Sequence, residues 1–300
     1  MNATRCPICD TDEQDREVYA SNFEPADLTH EVFSARRTPD RLHYRMVRCG
    51  GCNLLRSNPI LSAPELARLY EGSRFTYAAE AEYTRRTYAR YLHRLAAMLP
   101  DRGALMEIGC GNGFFLEEAL AEGFREVAGI EPSAEAAGRA SERVRPTIKL
   151  GLYGRATFPA TSFDAICAFQ VFDHVPDPGA VLAACHEHLR PGGLALFINH
   201  DCGALLNRVL GEASPIIDVE HTALFDKKTM RRIFEKHGFV VREVFSVWNT
   251  YPLGYWARLA PLPGPLKRAA AAVLAGSGLG KIPVKINAGN LGIIAGKAGA

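Results

Sequence analysis

The 300-residue chain contains no run of eighteen consecutive apolar residues, which excludes an ordinary membrane-spanning helix. It opens MNATRCPICD, with neither the basic nor the apolar part of an export leader, so the expectation is a cytoplasmic protein. A dominant charge sign is missing too. With 35 Lys and Arg against 33 Asp and Glu, the formal net charge is +2, and nothing in that balance favours a nucleic-acid partner. Disorder is excluded by composition, since 47% hydrophobic and 23% charged residues suit a globular protein with a sizeable core. Eight cysteines without a leader point to a reducing compartment, where paired cysteines bind metal more often than they form disulfides.

Four of those cysteines form two C-x-x-C knuckles, Cys6-Pro7-Ile8-Cys9 and Cys49-Gly50-Gly51-Cys52. Four thiolates on two tight turns suit a tetrahedral, structural zinc ion, with no coordination position left open for catalysis. Between the knuckles the charges segregate. Asp10 to Glu31 is mostly acidic, while Arg36, Arg37, Arg41, Arg45, Arg48 and Arg56 follow. These read as two solvated faces of a small ribbon, or alternatively as a phosphate-binding surface. Ser62 and Glu65 have the spacing of a capping box at the start of a short helix, Glu65 to Tyr70. A longer helix is expected over Glu80 to Leu99, with Tyr88, Tyr91, Leu92, Leu95 and Leu99 on its core face. Tyr77 precedes that helix in a loop and is a candidate to flank a cofactor pocket.

From Asp101 short apolar runs alternate with helical stretches, the pattern of a parallel sheet with helices on both faces. Strands are expected at Ala104 to Ile108, Glu126 to Ile130, Thr147 to Leu150, Ser162 onward, Gly193 to Ile198 and Leu291 to Ala295. Helices are expected at Phe114 to Ala121 and Ala134 to Val144. The first strand runs into a turn with glycine at alternate positions, Gly109, Gly111 and Gly113. Glycine-rich strand-to-helix turns cradle nucleotide-like cofactors. The third glycine of a dinucleotide fingerprint would fall at position 114, which is Phe114. Glu131 ends the second strand, where a carboxylate can accept hydrogen bonds from ribose hydroxyls.

The succession E-x-G-x-G-x-G from Glu107, then GIEPS, SFDAI, FDHVPDP and LRPGG, resembles the class I S-adenosylmethionine (SAM)-dependent methyltransferases over roughly residues 100 to 245. The later HTALF and FEKHGF segments resemble that family's last helix and following strand. The resemblance implies a Rossmann-like α/β sheet carrying a small N-terminal zinc ribbon. It divides the chain into a zinc-binding module over 1–60, a helical linker or cap over 61–100, and a SAM-binding domain over 101–300 with an insertion at 250–285. It further implies that Glu107, Gly109, Gly111 and Gly113 shape the methionine and ribose pocket and that Glu131 holds the ribose. Leu152 and Tyr153 would flank the adenine, and Gln170 would sit beside the sulfonium. Zinc knuckles ahead of such a domain resemble a bacterial subgroup that modifies sugars or other small metabolites. The expected function is methyl transfer to a small-molecule acceptor. The alternatives are an RNA methyltransferase using the zinc module, or a SAM-binding protein without catalysis.

A hydroxyl acceptor must lose its proton, and three histidines near strand ends are candidate bases: His174, His200 and His221. Asp173 and His174, with Asp201 or Asp218, are a weaker candidate set for a divalent metal. Beyond Glu243 no acidic residue occurs, while Arg258, Lys267, Arg268, Lys281, Lys285 and Lys297 remain. This basic and apolar insertion suits either a lid over the substrate or a segment lying on a membrane surface.

Overall fold

The structure, a computed structural model, describes residues 1–24, 27–29, 32–33, 41–71, 81–259 and 264–297. Tyr77, Glu80, Arg36 and Arg37, singled out above, lie outside the described residues.

The N-terminal ribbon consists of β1 (Asp15–Tyr19), β2 (Met46–Cys49) and β3 (Leu55–Ser57), paired antiparallel. Its charges pair internally. Arg45 meets Glu17 at 2.5 Å and the buried Arg56 of β3 meets Asp15 of β1 at 2.6 Å, so acidic and basic residues of the two stretches pair within the ribbon. Helix α1 (Ala63–Glu71) starts at the expected cap, where the Glu65 carboxylate accepts from both the Ser62 amide (2.8 Å) and its hydroxyl (2.5 Å). Helix α2 (Ala81–Ala96) buries Tyr91, Leu92 and Leu95 as its periodicity requires, and Tyr88 stacks on Phe169 with ring centroids 4.2 Å apart.

The large sheet begins at β4 (Ala104–Ile108), buried at every position, as expected for a parallel strand covered on both faces. Then follow α3 (Phe114–Glu122), β5 (Glu126–Glu131), α4 (Ala134–Gly138), β6 (Ile148–Leu150), β7 (Phe163–Phe169), α5 (Pro178–His188), β8 (Leu189–His200), α6 (Leu205–Leu210), β9 (Ala223–Leu224), α7 (Lys227–Lys236), β10 (Phe239–Pro252), α8 (Leu253–Leu259), α9 (Gly264–Ser277) and β11 (Pro283–Lys297). The seven strands lie in the order β6-β5-β4-β7-β8-β11-β10. All neighbours from β6 to β8 are parallel, and β11 runs antiparallel between β8 and β10. Two apolar clusters cover the two faces, one around Met106, Ile166 and Phe197, the other around Leu105, Phe115 and Leu196. This is the Rossmann-like α/β arrangement expected from the strand–helix alternation.

One expected element is shorter than its composition suggests. The helix read over Ala134 to Val144 stops at Gly138, and the chain tightens into turns from Ser141 to Thr147. Pro146 disfavours helix at Arg145, whose guanidinium donates instead to the Ala140 carbonyl (2.6 Å). The turns aim Val144 at the glycine loop, so that a Cβ on Gly113 would lie 2.9 Å from its Cγ2.

The ribbon is continuous with the large domain. β9 pairs with β3, joining Leu224 to Leu55 and Ala223 to Arg56 and completing a four-stranded sheet. The Ser57 hydroxyl donates to the His221 carbonyl (2.8 Å) and the Ser57 amide to the Thr222 carbonyl (2.9 Å). Lys236 of α7 reaches back to the Asp10 carboxylate (2.6 Å).

Candidate active site

The turn after β4 needs its glycines. Gly109, Gly111 and Gly113 all have left-handed backbones, with φ of 69°, 54° and 71°. The Gly109 amide donates to the Ile130 carbonyl (2.8 Å), pinning the turn to β5. A Cβ on Gly109 would also lie 2.5 Å from Val171 Cγ2. Gly109→Ala is therefore expected to cost on the order of 1–3 kcal/mol in chemical unfolding, from backbone strain and crowding together. A stability equal to the parent's would show the turn to be unconstrained. Cys110 is buried and fills space under the turn. Burial holds its thiol protonated, so it is no nucleophile at neutral pH.

Glu131 lies at the carboxyl end of β5, buried. Its two oxygens accept from the Gly111 amide and the Ser133 amide, each at 2.9 Å. Burial raises its pKa against the pull of those two donors. Glu107, also buried, is raised further, first by desolvation and then by the Glu131 charge. Glu107 Oε2, Asn112 Oδ1, Gln170 Oε1 and both polar atoms of the Asn199 side chain are buried without a hydrogen-bond partner among the described residues. All stand at the carboxyl ends of the adjacent strands β4, β7 and β8 or in the turn between β4 and α3. Unpaired buried polar atoms are rare and costly, so several at one crevice fit a polar ligand that would complete them. Gln170 has a left-handed backbone (φ 56°), and its amide donates to the Ile198 carbonyl (2.7 Å). Asn112 and Asn199 were not singled out in the sequence, because an asparagine's partners are invisible without the fold.

Leu152 is half exposed and lines an open depression of about 480 Å³ with Ile130, Leu150 and Thr157, at the end of β6. Tyr153 turns into the core, where its hydroxyl and His188 Nδ1 share a 2.7 Å hydrogen bond.

The three candidate histidines converge, although one ends β8 and the other two come from separate loops. All surround the fully buried Asp173, which follows β7. His200 Nδ1 donates to Asp173 Oδ2 at 2.6 Å, His174 Nε2 lies 3.7 Å from Oδ1, and His221 Nε2 lies 3.9 Å from Oδ2. The His221 ring meets those of His174 and His200 edge-on, each at 4.7 Å. His174 Nδ1 is in turn hydrogen-bonded to the Tyr70 hydroxyl of α1 (3.2 Å). Burial would raise the Asp173 carboxyl, but the adjacent imidazoles, His200 foremost, hold it below the ordinary carboxylate range. Burial lowers the pKa of His174 and, more strongly, of His221, keeping both neutral. With Asp173 ionised, the His200 ring proton resides on Nδ1 and Nε2 keeps a free lone pair. The His200 side chain retains 26% of its accessibility, whereas His221 retains 7%. Asp201 and Asp218, the other carboxylates considered for a metal here, are engaged in local turns with the Gly203 and Glu220 amides.

At the ribbon, the sulfurs of Cys6, Cys9, Cys49 and Cys52 lie within 4.8 Å of one another, with Cys6 and Cys52 at 3.4 Å. None of the four is in a disulfide.

The strand order, the antiparallel β11 and the glycine turn beside the Glu131 carboxylate define a Rossmann-like fold of the methyltransferase type. Residues 81–244 match the family described as "Methyltransferase domain", and the chain belongs to that family. Among curated proteins it is similar to the ubiquinone biosynthesis O-methyltransferase of Methylococcus capsulatus, 32% identical over 35% of this chain and 48% of that one. The protein of the same name from Aromatoleum aromaticum is 35% identical over 36% and 49%. The chain thus spans about half the length of these relatives. Among solved structures, a SAM-dependent methyltransferase from Archaeoglobus fulgidus aligns with TM-score 0.48 at 17% identity, over 75% of this chain and 100% of that one. No helix among the described residues is long and apolar enough to cross a membrane.

Proposed function

We propose that this protein methylates a hydroxyl oxygen of a small-molecule acceptor, with SAM as donor and His200 as the general base. The observation that carries the reading is the 2.6 Å contact of His200 Nδ1, at the carboxyl end of β8, with the buried Asp173. That contact leaves the Nε2 lone pair free on a side chain that keeps 26% of its accessibility, as a base requires. Asp173 is a positioning residue that fixes the ring through its Nδ1 hydrogen bond. His221 and His174 pack the dyad, and Tyr70 anchors His174. The names of the curated relatives favour an oxygen acceptor, and a sugar or natural-product hydroxyl falls within that class.

SAM supplies a methyl group on a cationic sulfur that is already a good leaving group, so the protein's work is alignment and proton removal. Glu131 would accept from the ribose hydroxyls and the three glycines would bring backbone amides close. Glu107, Asn112 and Gln170 would pair their unsatisfied atoms with the polar part of the cofactor. Leu152 would cover the adenine, whereas Tyr153, expected to flank it as well, is turned into the core against His188. Four cysteine thiolates would hold one structural zinc ion. An RNA substrate is disfavoured because Arg45 and Arg56 are engaged by the ribbon's own carboxylates.

In calorimetry, Glu131→Ala is expected to weaken SAM binding by about 10–100-fold, the worth of one or two hydrogen bonds to a charged group. Unchanged affinity in a folded variant would remove Glu131 from the site. Transfer of labelled methyl groups to hydroxylated small molecules tests the reaction itself. Tight SAM binding with transfer to RNA alone would overturn the small-molecule reading.

A second reading is favoured by the same cluster. Ligand atoms of Asp173, His200 and His221 all lie within 4.8 Å of one another, a spacing that a divalent ion could bridge. Such an ion would bind the acceptor oxygen in place of a free base.

A further inference from the structure

We propose that the cleft-bearing end of the molecule docks on an anionic lipid surface through the β10–β11 hairpin and its helices α8 and α9. β8 ends at His200, opposite Asn290 of β11. β10 and β11 go on pairing to Pro252 and Pro283, so the hairpin rises roughly 20 Å past the sheet's carboxyl end at ~3.3 Å per residue. It carries α8 and α9 at its tip.

Helix α9 has fourteen residues and buries none of them. Leu266 and Val273, seven positions apart and on one face, are 59% and 66% exposed, and Leu279 and Ile282 beyond the helix are each 48% exposed. At the same end of the sheet, directly after β8, Leu205 and Val209 of α6 are 77% and 75% exposed and share a face at i, i+4. A monomer in water rarely leaves so many large apolar side chains uncovered around one opening.

Charge selects the occupant. No acidic residue follows Glu243, while the hairpin carries Arg258, Lys267, Arg268, Lys281 and Lys285. A surface with exposed aliphatics and cations, and no carboxylate side chain anywhere beyond Glu243, complements an anionic bilayer interface, where aliphatics enter the headgroup boundary and cations meet phosphates. A second copy of the chain would bring the same cations against each other, and an apolar protein partner would not require them. The proposal also deepens the assigned function: the acceptor would be a hydroxylated amphiphile entering the cleft from the lipid. That last step rests on the methyl-transfer reading, whereas lipid docking does not.

The test is flotation of the full-length protein with vesicles of phosphatidylglycerol and phosphatidylcholine, against pure phosphatidylcholine. Binding is expected on the anionic vesicles, weakened by salt. It should fall about ten-fold or more both in Leu266→Glu/Val273→Glu and in Lys267→Glu/Arg268→Glu, all on a helix that buries none of its residues. His200→Ala should float like the parent, so a failed base assignment leaves the lipid result standing. Absence of vesicle binding, equal binding by the parent and both double variants, or a dimer dissolved by the same substitutions would each overturn the proposal.

Discussion

His200→Ala is expected to lower kcat by about 10²–10⁴-fold, the usual worth of a positioned general base, while SAM affinity stays at the parent's value. The two readouts separate because, in the proposed function, His200 serves the acceptor and is none of the residues proposed for SAM. Asp173→Asn should produce a comparable loss without removing the imidazole. An amide at this position can donate to Nδ1, which favours the tautomer whose Nε2 carries the proton and cannot accept one. A merely structural role for Asp173 would instead show as lost stability with kcat per folded molecule unchanged. Full activity in His200→Ala would end the base assignment.

Cys49→Ser is expected to abolish metal binding at the ribbon and to destabilise the whole chain. Structural zinc sites in small domains carry on the order of 10 kcal/mol of metal-binding free energy that is also folding free energy. The parent should contain about one zinc per chain by elemental analysis and the variant none. A second equivalent of metal in the parent, retained in Cys49→Ser and lost in His221→Ala, would instead establish the Asp173–His200–His221 metal reading. The loss should also reach the catalytic cluster. β3 pairs with β9, and Ser57 donates its hydroxyl to the His221 carbonyl and its amide to the Thr222 carbonyl. Variant protein that still folds is therefore expected to lose activity beyond its loss of stability.

Much of this was legible along the chain. The strands from Ala104 to Ile198 stand where apolar runs end in turn residues, since a parallel strand buried on both faces must be apolar throughout. The glycine turn was legible because its left-handed backbone admits few other residues. The paired cysteines could be read as one group because two tight turns bring thiols together wherever the intervening chain goes. The premature end of α4 was harder. Gly138 and Pro146 were visible, but the pull of Val144 into the space beside Gly113 was not.

The histidines mark the boundary more sharply. Residue type and strand-end position made His174, His200 and His221 candidates, yet nothing local could rank them. Their ranking depends on Asp173, and on how much water each ring retains once β3 has clamped the loop at 221–224. The hairpin is similar: its composition allowed a lid or a membrane segment, and the choice rests on an α9 that buries no side chain. Local chemistry thus specifies what depends on near neighbours, namely backbone conformation at glycine, strand and helix periodicity, and the knuckle turns. Burial, tautomer and the pairing of charges from distant loops are properties of the packed chain, because desolvation and Coulomb energy depend on neighbours in space.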